Sequence, residues 1–61
     1  MSNQSDKDRI KAHLQIARAK IDLLISDIEA NKIELGGCSA RQKEITQEMH
    51  SANHIADRSS H

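Results

Sequence analysis

The sequence predicts an all-α protein, an antiparallel helical hairpin that assembles into a dimeric helical bundle. Three observations carry that expectation. Apolar residues recur at alternating spacings of four and three over most of the chain, as helix faces require. Proline is absent, and the only strong break in the pattern is the pair Gly36-Gly37. No Phe, Trp or Tyr is present, and the large apolar residues are eight Ile, four Leu and two Met. A chain of 61 residues so composed makes a small core, near the lower limit for folding alone.

The first helix is expected over residues 5–35. Ser5-Asp6-Lys7-Asp8 supplies an N-cap hydroxyl with acids in the first turn. Gly36 is expected to close the helix in the left-handed conformation, with a turn over Gly36, Gly37 and Cys38. The second helix is expected over residues 39–57, opened by the capping-box pattern Ser39-Ala40-Arg41-Gln42. Residues 1–4 and 58–61 are expected outside the helices, and residues 1–61 form a single domain. At about 1.5 Å per residue the helices would span roughly 45 and roughly 28 Å, so that about ten residues of the first overhang the second.

Helix 1 carries two apolar stripes. The main one reads Ile10, Leu14, Ala17, Ile21, Leu24, Ile28, Asn31, Leu35, a heptad-like seam with one polar member. Asn31 either fixes register there or sits where solvent reaches the loop. The other stripe reads Ala12, Ile16, Ala19, Leu23, Ser26, Ala30, Ile33. Helix 2 offers a thinner seam, Ile45, Met49, Ala52 and Ala56 with Ile55 beside it, expected to pack with Leu35 in the hairpin. It can cover one stripe of helix 1 and not two. The surface expected to bind a further copy or another protein is therefore Ile10, Leu14, Ile16, Ala17, Ile21, Leu23, Leu24 and Ile28. Charge points the same way. Residues 1–20 hold five basic and two acidic residues, whereas residues 21–35 hold one basic and four acidic. Two antiparallel copies of helix 1 would match these ends.

Catalytic chemistry is not expected. Cys38, the one cysteine, has no histidine next to it in sequence to act as a base, and it allows no disulfide within the chain. His50, His54, Asp57 and His61 line one helical face at ligand-like spacing, which makes His50, His54 and Asp57 a candidate metal set. That face lies opposite the helix 2 seam, so a solvated face without metal is the expectation, and no cofactor is implied. Lys7, Arg9, Lys11, Arg18 and Lys20 are interleaved with Asp6 and Asp8 and lack aromatics for base stacking. With zero formal net charge, nucleic acid is not the expected partner. The longest apolar run, Leu23-Leu24-Ile25, is far too short for a membrane span. A cytoplasmic protein is expected.

The expected function is a small regulator or adaptor that self-associates and modulates a protein partner by helix packing, in the manner of compact phage or plasmid inhibitors and anti-repressors. In layout, two helices about Gly36-Gly37, the chain also resembles the hairpin co-chaperones of type III secretion needle subunits. That resemblance implies shielding of an aggregation-prone helical subunit. A third reading, a structural four-helix dimer resembling plasmid copy-number hairpins, implies RNA binding.

Overall fold

A computed structural model describes residues 4–59, so expectations for residues 1–3 and 60–61, His61 included, lie outside the described residues. Two helices, α1 (Gln4–Glu29) and α2 (Leu35–Ser59), run antiparallel along one another. Ser59 near the end of α2 donates its hydroxyl to Asp6 in the first turn of α1. The hairpin measures 48 × 15 × 9 Å. Its radius of gyration is 14.3 Å, against about 10.5 Å for a compact domain of this length.

The reversal does not fall at the glycine pair. It falls at Asn31, whose φ of 56° places it in the left-handed region. Asparagine tolerates that region better than most residues with a side chain. The Lys32 amide donates to the Asp27 carbonyl and the Asn31 amide to that of Ile28, at 2.8 and 3.0 Å. This is the bond pattern of a Schellman cap with Asn31 as its left-handed residue. Helix 1 therefore stops at Glu29 rather than at residue 35, and Asn31 is an exposed cap rather than a seam residue.

Helix 2 begins at Leu35 instead of Ser39. The Cys38 amide donates to the Glu34 carbonyl at 2.9 Å, making Glu34 the capping residue. Gly36 and Gly37 fall in the first helical turn, and neither has a positive φ. Gly37 is nevertheless needed for a close approach. A Cβ there would lie 2.8 Å from Cγ1 of Ile33, whereas one on Gly36 would meet nothing within 4 Å. Gln4, Arg58 and Ser59, expected outside the helices, are helical.

Moving the turn upstream makes the helices nearly equal, at 26 and 25 residues. The expected overhang of helix 1 does not exist. Leu35, expected in the hairpin packing, opens α2 with 88% of its surface exposed. The glycine-pair turn that supported the co-chaperone resemblance is absent too, and only the two-helix layout of that resemblance persists.

The seam between the helices is half polar. Along α1 it follows Asp6, Ile10, His13, Ala17, Lys20, Leu24 and Asp27. Along α2 it follows Cys38, Arg41, Ile45, Glu48, Ala52, Ile55 and Ser59. All of these are buried or half-buried, and Ala17, Leu24, Ala52 and Ile55 are the buried apolar residues among those described. Polar levels separate the apolar ones. His13 Nδ1 donates to Glu48 Oε2 at 2.8 Å, and Lys20 Nζ lies 3.8 Å from Glu48 Oε1. Arg41 Nη1 donates to Asp27 Oδ2 at 3.2 Å, while the buried Nη2 of Arg41 has no partner within the hairpin. Because Arg41 and Glu48 occupy seam positions on α2, α1 must turn opposite charges toward them. That requirement rotates α1 away from the all-apolar stripe the sequence suggests.

Candidate interaction surface

The rotation determines what is left uncovered. Successive residues of a helix advance about 100° around its axis. With Ala17 and Leu24 directed at α2, the residues Leu14, Ile21, Ile25 and Ile28 fall on one flank of α1. Ile16 and Leu23 fall on the other. All six are exposed, Ile25 and Ile28 by about half and Leu23 by 56%. The surface expected for association is thus divided three ways. Ala17 and Leu24 are buried against α2, and Ile10 is half-buried at its edge. Leu14, Ile21 and Ile28 form one exposed flank, and Ile16 and Leu23 the other.

The flank with Leu14 continues across the hairpin. Ile21, Leu24, Ile25 and Ile28 line one shallow groove together with Gln42, Ile45 and Thr46 of α2. Met49 lies one turn beyond Ile45 and is also exposed. Toward the start of α1, Ile10 and Leu14 line a second groove bordered by Lys7, Lys11, Gln15 and Arg18. The two grooves follow one another along the same flank of α1, and the groove at Ile25 uses both helices. Met49 and Ala56, expected inside the hairpin, are exposed. Ala52 is buried as expected, Ile45 is half-buried, and Ile55 takes the inner position beside them.

The histidines lie elsewhere. His50 and His54 are exposed and line a polar groove with His13, Ser51, Ile55, Arg9 and Arg58. Two guanidinium groups there oppose a metal cation electrostatically. Asp57 accepts a hydrogen bond from Asn53 at 3.4 Å. Among the described residues no group of three or more His, Cys, Asp or Glu side chains is placed to hold a metal ion. Cys38 is half-buried in the first turns of α2 rather than in the loop.

The basic residues near the start of α1 are also divided. Lys20 is drawn to Glu48, and Arg9 lies 4.0 Å from Asp6. Lys7, Lys11 and Arg18 are exposed beside the apolar face. Sequence reasoning missed the polar levels of the seam altogether. The available signal was the mixed line Asp6, Ile10, His13, Ala17, Lys20, Leu24, Asp27, whose charges are opposite to those of Glu48 and Arg41.

Comparison with protein-family models, curated proteins and solved structures finds no match for the chain. Among the described residues no helix is long and apolar enough to cross a membrane.

Proposed function

We propose that this chain is a non-catalytic interaction module, a regulator or adaptor that self-associates and engages a protein partner by packing helix against helix. The observation that supports this most is the apolar face formed by Leu14, Ile21, Ile25 and Ile28 with Ile45 and Met49. Fully burying each such side chain contributes about 1.5–3 kcal/mol, yet the hairpin leaves most of them about half exposed while pairing charged groups in its seam. A lone hairpin gains nothing from that choice. An assembling one gains both a specific pairing of its own helices and a surface for another chain.

Leu23 and Ile16, on the opposite flank, offer a second and smaller apolar strip. Once the larger face is occupied, this strip is the part of α1 still open to a protein partner.

The face and the strip are separable by substitution. Ile25→Asp places a charge at the centre of the larger face without touching the hairpin seam, and should lower the solution mass to that of one chain while helicity under dilute conditions is unchanged. Ile16→Asp should leave the mass as in the native chain. Equal behaviour of the two variants, in either direction, would contradict the assignment of the larger face to assembly.

A further inference from the structure

We infer that the occupant of the larger face is a second copy of this chain, related by a two-fold axis at the level of Lys20. Helix α1 then lies antiparallel to α1 of the other copy, with Lys11 against Glu29 and Arg18 against Asp22. This inference rests on the reading of the chain as a self-associating module, and adds the face and register.

Size is the first support. The chain exposes 4898 Å², whereas a compact monomer of its 6.8 kDa mass exposes about 3,950 Å². The excess is close to the roughly 800 Å² that each partner contributes to a standard interface. A flat face on a thin hairpin is covered efficiently by an equally thin hairpin, which produces a four-helix arrangement.

Charge selects the copy and its register. Beyond the apolar flank of α1 runs an exposed rim on which Lys11 and Arg18 precede Asp22 and Glu29. Among the described residues these four enter none of the ion pairs within the hairpin. Lys11 and Glu29 are equidistant from Lys20 along the chain, and so are Arg18 and Asp22. A single two-fold axis at that level therefore brings both pairs together, each twice. Lys20 itself is directed to Glu48 across the hairpin seam and does not oppose its own copy. On α2 the same side carries the uncharged Gln42, Thr46 and Asn53 around the axis, with Asp57 a turn beyond Asn53, so α2 can face its copy there without repulsion. The alternative, α1 over α2 of the other copy, would set Arg18, Asp22 and Glu29 against uncharged side chains and bring only Lys11 near an acid, Asp57. The Lys20–Glu48 pair also fixes the level of α2, and there Ile45 and Met49 straddle the axis.

Charge reversal in matched sets tests this. One variant carries Lys11→Glu and Arg18→Glu; the other carries Asp22→Lys and Glu29→Lys. Every substitution lies on the exposed rim, so each variant should keep the native circular dichroism below the dissociation range. Sedimentation velocity at low ionic strength should show dimerisation of each variant weakened by roughly tenfold or more, because all four rim pairs become repulsive. An equimolar mixture should recover a dimer containing one of each, seen as a heterodimer by native mass spectrometry. A native dimer combined with undiminished dimerisation of both variants would overturn the register and leave self-association standing. A native chain that stays monomeric throughout would overturn the inference together with the self-association on which it rests.

Discussion

Asn31 sets where this chain turns, and through that the length of everything else. Its left-handed backbone costs a residue with a Cβ roughly 1–2 kcal/mol, least for asparagine and nothing for glycine. The bonds to the Asp27 and Ile28 carbonyls recover polar groups that the end of α1 would otherwise leave to water. Asn31→Val should therefore destabilise the hairpin by about 1–2 kcal/mol, while Asn31→Gly should be neutral or slightly stabilising. Thermal melts at one fixed chain concentration check both, since association itself raises the melting temperature. An unchanged melt for Asn31→Val would mean that this residue does not hold the turn.

At the scale of the helices, Gly36 is the most informative position. Inside the first turn of α2 it has no steric obligation, so Gly36→Ala should stabilise by roughly 0.4–1 kcal/mol by narrowing the unfolded ensemble. Gly37→Ala should lose that gain, because the new methyl meets Cγ1 of Ile33. Were the chain to reverse at the glycine pair, Gly36→Ala would destabilise instead, and denaturant midpoints separate the outcomes. The sequence makes two helices legible because their periodicity is long and uninterrupted by proline. Their boundary is not legible, because two glycines are a stronger local signal than one asparagine, and only the packing of Ile33 over Gly37 reveals the glycine's other use. The seam is partly legible for a related reason. Reading apolar residues alone places Ala52 in the hairpin and leaves Leu14, Ile21 and Ile28 for association, but it assigns Ala17 and Leu24 to that outer surface too, puts Met49 and Ala56 inside, and passes over His13, Lys20 and Asp27. Those polar residues belong in the seam only because Glu48 and Arg41 stand opposite them, a relation between distant positions that periodicity does not carry.

At the scale of the whole molecule, few of the described apolar residues are buried. Ala17, Leu24, Ala52 and Ile55 form a narrow core between two long helices, little for a chain this close to the lower size limit of independent folding. The stabilisation lacking inside matches the apolar surface present outside, on Leu14, Ile21, Ile25, Ile28, Ile45 and Met49. A two-fold assembly would convert that surface into the centre of a four-helix bundle, with the polar levels of each hairpin seam keeping its own helices correctly paired. Ile16 and Leu23 would remain outside for a further partner. The most direct test is the solution mass of the native chain by light scattering, with helicity followed by circular dichroism over a concentration series. A species of twice the 6.8 kDa chain mass, melting at a temperature that rises with concentration, is the predicted result. A weakly helical monomer at every concentration would contradict it, and would assign the missing surface to a different protein, as in a hairpin that shields another helical subunit.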